Sequence, residues 1–330
     1  MRRISLLSIA ATTALVLTAC GGGGDADEKG PSAEGFPLAV DSCGEEITVE
    51  EPAERIYSAN YEMTHTLLAL GLADRIVAAG PWAETVTGDR AADAESLETI
   101  EDATSEAVLD LDPDLVVGSW NPFDYGLTNP ELFESLDIPV YISPTECANK
   151  EQTGDSDAAE RTELLDVEVF FTEVEQLASM AGHPERGTDL VADFRERLAV
   201  VAEQDFGDTD AMVWYANPES PTVAGCCGAS GIILDQLGLT NVFEDQKAEW
   251  PSVGWEDVAD RDPDVIVFAD LGQAEETIEF LKSNPVTSTL DAVVNERYIA
   301  VDSAALVSSV AMIEAIEQIA AALPAMGIGS

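Results

Sequence analysis

Cations are scarce in this chain: 15 Lys and Arg stand against 64 Asp and Glu, and the formal net charge is −49. Neutralising a phosphate backbone or an anionic lipid surface takes clustered cations, so nucleic-acid binding and electrostatic membrane binding are excluded. The acidity itself reads as a solvated, salt-tolerant surface. Histidine is rarer still, with only His65, inside an apolar helical stretch, and His183, at a helix junction. Soft or borderline cations want several imidazole or thiolate ligands, so both read as structural and no bare-metal site is expected. No GxSxG elbow, GxxxxGK phosphate loop or CxxC pair occurs, which leaves no complete catalytic constellation. Gly225, Gly228 and Gly231 precede a helix but lack a nearby Lys, and read as places where the backbone turns rather than as an anion cradle.

Long apolar runs are absent after the first twenty residues, which argues against a membrane helix in the body. Arg2 and Arg3 precede an apolar stretch from Ile4 to Leu17 and a small-residue exit, the pattern of an export signal. Leu17-Thr18-Ala19-Cys20 looks like a bacterial lipobox, in which Cys20 is acylated and anchors the chain on the extracytoplasmic face of the cell membrane. A Gly-rich and polar run then forms a tether that cannot bury a core. The expected organisation is a lipoprotein signal over 1–19, a tether over 20–36, an N-terminal α/β lobe over 37–183, a connecting helix over 184–204 and a C-terminal α/β lobe over 205–330.

Beyond Cys20 only four cysteines remain, and export makes disulfides plausible. Of the three pairings, Cys43 with Cys147 is favoured, because it ties the N-terminal segment to the end of the first lobe and closes a loop of roughly 100 residues. Cys226 and Cys227 then form an adjacent-residue disulfide or stay as thiols, and both alternatives stay open.

What the chain does have is an internal echo. Ser105-Glu106 through Asp112-Pro113-Asp114-Leu115-Val116-Val117 recurs as Trp255-Glu256 through Asp262-Pro263-Asp264-Val265-Ile266-Val267, with a Glu seven residues before each Pro. Each copy reads as a short helix with a carboxylate in its first turn, then a buried strand. Leu70-Gly71-Leu72 before Ile76-Val77 is echoed by Leu237-Gly238-Leu239 before Val242-Phe243, each an apolar helix end closed by Gly. The remaining pattern predicts strands over 55–60, 75–79, 138–142, 211–215 and 297–301. It predicts helices over 62–70, 162–181, 184–204, 231–237, 275–282 and 308–323, with helix starts at Asn129-Pro130, where Asn is the cap, and near Asn284-Pro285. Strands alternating with helices argue an α/β fold of two halves with parallel sheets, Rossmann-like in each lobe, joined by one long helix.

With these features in place the chain resembles the substrate-binding lipoproteins of ABC importers for iron-siderophores, haem and cobalamin. The matching segments are 52–56, 70–77, 112–116, 241–243, 255–266 and Asn284-Pro285-Val286. The resemblance implies a ligand cleft between two lobes and no enzymatic activity. It also implies a dimeric ABC permease as partner, on which Glu106 and Glu256 dock, one from each lobe. The bound ligand is expected to be an iron chelate, with no resident cofactor or protein-held metal.

Ligand contacts should come from loops at the carboxyl ends of the strands. Tyr61, Trp82, Trp120, Asn121, Tyr125 and Tyr215 are the candidates, since flat aromatic faces suit a bulky chelate. Arg90 and Lys247 are the only cations expected to be free to reach it. So few cations disfavour a highly anionic catecholate and favour a neutral or cationic ferric hydroxamate. Haem or cobalamin in the same role, a thiol-dependent extracytoplasmic enzyme using Cys226 and Cys227, and a lipoprotein presenting its ligand to another partner are the alternatives.

Overall fold

The structure is a computed structural model that describes residues 33–81, 86, 88–124, 126–150 and 160–329. Cys20, Trp82 and Tyr125, with the signal segment and most of the tether, lie outside the described residues. The strands are β1 Leu38–Ser42, β2 Glu45–Val49, β3 Ile56–Ser58, β4 Ile76–Ala79, β5 Leu115–Gly118, β6 Val140–Ile142, β7 Asp210–Ala216, β8 Thr222–Val223, β9 Thr240–Asn241, β10 Val265–Asp270 and β11 Tyr298–Asp302. The helices are α1 Tyr61–Ala69, α2 Ala91–Glu95, α3 Ser105–Leu109, α4 Pro130–Ser135, α5 Pro144–Cys147, α6 Val167–Met180, α7 Pro184–Ala202, α8 Ala229–Gln236, α9 Trp255–Arg261, α10 Ala274–Ser283, α11 Asp291–Val294 and α12 Ala311–Ala322.

The echo in the sequence is an echo in topology. The first sheet runs β4-β3-β5-β6, all parallel. In the second, β9 and β10 flank β7 in parallel and β11 lies beyond β10, so the first strand of each half is central and the later strands fall in the same order. Both sheets switch direction at that central strand, which opens a crevice beyond its carboxyl end. One strand departs from the pattern: β8 pairs antiparallel with β7.

Physical reasons for the repeated motif follow from its hydrogen bonds. Asp112 and Asp262 adopt left-handed conformations (φ 51° and 44°), Asp262 as the cap of α9 and Asp112 just beyond the end of α3, and the Pro that follows prevents either helix from continuing. The second Asp reaches sideways to the central strand: Asp114 accepts from the Glu54 and Arg55 amides at 2.8 and 2.9 Å, and Asp264 from the Asp210 amide at 3.0 Å. Gly71 and Gly238, at φ 69° and 65°, close the two equivalent helices as anticipated.

A single apolar core runs from the first sheet through α6, α7 and α12 to the second. The rings of Phe170 and Phe171 on α6 lie 6.3 Å from that of Phe194 on α7, while Arg197 of α7 pairs with Glu317 of α12 at 2.6 Å. Helix α7 therefore touches both halves, and at 19 residues it is about 28 Å long.

Several local expectations are corrected. The helix anticipated from Thr162 begins at Val167, where Asp166 caps the Glu168 amide at 3.0 Å. Asn129 precedes α4 in a left-handed conformation (φ 63°) and its side chain does not cap. At Asn284-Pro285 the side chain instead holds a turn, accepting from the Val286 and Thr287 amides, and α11 starts later. Gly225 and Gly231 turn no chain: a Cβ at either would collide with backbone carbonyls, of Ala248 and Cys226 respectively. The β1–β2 hairpin was not anticipated. It sits beside β6, where Ser42 accepts from the Ile142 amide at 2.8 Å, and the Cys43–Cys147 disulfide joins its turn to α5.

Candidate functional site

Short turns after β3 and β5 meet at the switch point of the first sheet, and Asn60 holds them together. Its Oδ1 accepts from the Ser119 amide at 3.2 Å and its amide nitrogen donates to the Ser119 hydroxyl. Ser58 adds a hydrogen bond to Thr64 at 2.8 Å, and the Gly80 amide donates to the Ser58 carbonyl at 2.7 Å, so the turn after β4 is drawn in. Between these turns lies a cavity of about 340 Å³. Ala59, Pro81, Trp120 and Pro122 form its walls, Tyr57 and Leu127 are buried behind them, and Glu101 stands exposed at the edge.

The second half contributes Tyr215, whose ring lies 4.9 Å from that of Trp250 and whose side chain lies beside Tyr61. Beneath them is a group of buried ionisable side chains. Burial pushes the Glu62 carboxyl up to about 7, against hydrogen bonds from Tyr61 and Ser119 that favour the ionised form. Burial likewise lowers His65 to about 4, assisted by the nearby Arg90. Neither nitrogen of His65 has a hydrogen-bond partner among the described residues, consistent with a neutral core imidazole.

Of the anticipated ligand residues, Trp120 lines the cavity, while Tyr61 and Tyr215 meet each other where the halves touch. Asn121 is next to Trp120, but its Oδ1 accepts from the Phe123 amide at 3.1 Å and holds the turn. Arg90 is not free: it pairs with Glu314 of α12 at 2.6 Å, linking the two halves. Lys247 is exposed, and its backbone carbonyl accepts from the Arg161 amide. Arg161 does not lie on a helix; it is buried ahead of α6, donates to the carbonyls of Ala148 and Thr145, and lies 3.5 Å from Glu249. Cys226 and Cys227 are bonded to each other. Their loop is tied down by the Cys226 amide on the Gln246 carbonyl at 2.8 Å and the Leu165 amide on the Cys227 carbonyl at 3.0 Å. Asp270 accepts from the Gly272 and Gln273 amides, a turn role.

Glu106 and Glu256 are both exposed in the first turns of α3 and α9. Sequence reasoning missed Tyr57 and Trp250. The first sits in a strand whose neighbours are all buried, and the second in an irregular segment, so neither carried a local signal.

The electrostatic consequence is general. Among the described residues every Arg and Lys except Lys247 is engaged by a carboxylate or a backbone carbonyl, and no cluster of side chains suited to hold a metal ion occurs. No helix among them is long and apolar enough to cross a membrane. What the described residues offer is a crevice with aromatic and apolar walls, suited to binding a molecule that presents apolar or aromatic surface.

Comparison with known proteins agrees with this architecture. The vitamin B12-binding protein of Vibrio campbellii is 28% identical over 217 residues, covering 65% of this chain and 70% of the relative. A periplasmic binding protein of Veillonella parvula superposes with a TM-score of 0.73 at 20% identity, over 86% of this chain and 95% of its own. The structure described as an ABC-type Fe3+-hydroxamate transport system from Saccharomonospora viridis gives 0.69 at 22% identity, over 86% and 98%. Residues 56–305, from the central strand of the first sheet to the turn after the last strand of the second, match the periplasmic binding protein family, and the chain belongs to that family.

Proposed function

We propose that this chain is the extracytoplasmic substrate-binding lipoprotein of an ABC importer, and that it captures a ferric siderophore whose complex is neutral or cationic, such as a ferric hydroxamate. The observation that carries this reading is the engagement of the cations. Arg90, one of the two cations expected to reach a ligand, is held by Glu314, and only Lys247 is uncommitted among the described residues. A ferric catecholate would have to enter past Glu101 without charge-assisted partners. A neutral complex needs only aromatic and apolar surface, which Trp120, Tyr61 and Tyr215 would supply.

Titration of intrinsic Trp fluorescence with ferrioxamine B and with ferric enterobactin tests it. The hydroxamate should bind at least ten times more tightly, and preference for the catecholate would defeat the proposal. Cyanocobalamin belongs in the same titration as the second reading, favoured by the Vibrio relative named for vitamin B12 binding. Delivery to a dimeric permease would use Glu106 and Glu256, and acylation of Cys20 would hold the protein at the membrane surface.

A further inference from the structure

Tyr57 is fully buried at the back of the cavity in the first half, and its hydroxyl has no hydrogen-bond partner among the described residues. Buried hydroxyls are ordinarily satisfied, and an unsatisfied one on a residue that lines a cavity is a place where a ligand atom can supply the missing partner. Burial pushes this phenol up to about 12, so it stays protonated and able to donate. The surrounding walls are apolar, from Ala59, Pro81, Pro122 and Leu127. Asn60 is the other polar wall, and its side chain is already committed to Ser119. Glu101, exposed at the edge, repels a carboxylate or phosphate. At about 340 Å³ the space lies at the small end of the range for ligand pockets and has room for a short chain.

We propose that this cavity is a subsite for an uncharged, largely aliphatic arm of the bound ligand, and that the arm ends in a carbonyl or hydroxyl accepting a hydrogen bond from Tyr57. The inference rests on the binding role argued above but not on the identity of the metal complex. The arm would extend from a body bound between the halves, past Trp120, with its acceptor against the phenol. Tyr57 then selects among ligands by their side arms, independently of how their metal is held.

Calorimetric titration with three neutral-core ferric trihydroxamates tests this: ferrioxamine E, a macrocycle without a free arm; N-acetyl-ferrioxamine B, whose pentyl arm ends in an amide; and ferrioxamine B, whose arm ends in an ammonium. The acetylated complex should bind about tenfold more tightly than the macrocycle, and Tyr57→Phe should remove most of that advantage while leaving the macrocycle unchanged. Equal affinity of the acetylated complex and the macrocycle, or an advantage that survives Tyr57→Phe, overturns the subsite and leaves the binding role intact. Failure of all three to bind defeats the hydroxamate reading instead. The subsite is then decided by crystals soaked in N-butylacetamide. An amide carbonyl against Tyr57 in the wild type, absent in Tyr57→Phe, supports it, and an empty cavity in the wild type overturns it.

Discussion

The side chains of Tyr61 and Tyr215 lie close enough to act on each other electrostatically, which brings the start of α1, just after the central strand of the first sheet, up to the end of the central strand of the second. The two strands occupy equivalent places in the duplicated topology, so this contact joins the switch-point ends of the two sheets. Tyr215→Phe keeps the ring against Trp250 and removes only the hydroxyl. It should lower stability by about 1 kcal/mol, or a Tm drop of about 2–4 °C by calorimetry. No change would mean that the hydroxyls are equally well served without each other.

The buried carboxyls make stability depend on pH. Burial raises Glu62 to about 7 and Glu173 to about 8, the latter against hydrogen bonds from Ser143 and Thr66. Raised carboxyls hold protons that the unfolded chain releases above about 4.5, so their contribution is complete below that pH and is lost as pH rises through 7 and 8. His65, lowered by burial to about 4, acts in the opposite sense: the unfolded imidazole gains a proton below about 6.5 that the folded one refuses. Glu62→Gln should therefore narrow the Tm difference between pH 5 and pH 8.5, recovering on the order of 2 kcal/mol at the higher pH. An unchanged pH profile would show that Glu62 is ionised in the folded protein.

Glu106 and Glu256 are exposed at matching places on α3 and α9, and neither lines the cavity. Reversing both charges, Glu106→Lys with Glu256→Lys, should abolish ligand uptake in cells while changing the affinity of the purified protein less than twofold, because interface charges set docking register rather than the cleft. Retained uptake would remove these two residues from the permease interface.

The Cys43–Cys147 disulfide closes a loop with a sequence separation of 104, whereas Cys226–Cys227 closes none. Replacing the first pair by Ser should destabilise the protein by up to about 4.7 kcal/mol, and replacing the second should leave the loop-closure contribution untouched. Denaturant unfolding of both double variants compares them. A larger loss from the Cys226–Cys227 replacement would place the main effect in its loop rather than in chain entropy.

Asp114 accepts two backbone amides where Asp264 accepts one. Asp114→Ala should cost about 2 kcal/mol and Asp264→Ala about 1 kcal/mol, both read from denaturant midpoints at constant slope. The reverse order would mean that solvent replaces the Asp114 bonds.

Much of the fold was legible because the signals that encode it are local. The paired Asp-Pro-Asp runs, the Gly-closed helix ends and the apolar runs after them reported two copies of one strand order, and the strand order is what puts a crevice beyond β3 and β7. The aromatic residues Trp120, Tyr61 and Tyr215 were placed at that crevice by the same logic. Tyr57 escaped, because a buried Tyr in a strand reads as packing until the cavity it lines is visible.

By itself the sequence determined the duplication, the parallel α/β class, the length of α7 and the poverty in cations, since periodicity, capping and composition act within a few residues of where they are written. Only the tertiary structure decided where those cations go. Arg90 meets a carboxylate 224 positions away and Arg161 one 88 positions away. Charge pairing depends on distance through space, which a linear reading does not contain, and it is this pairing that empties the crevice of free positive charge and leaves its walls aromatic and apolar.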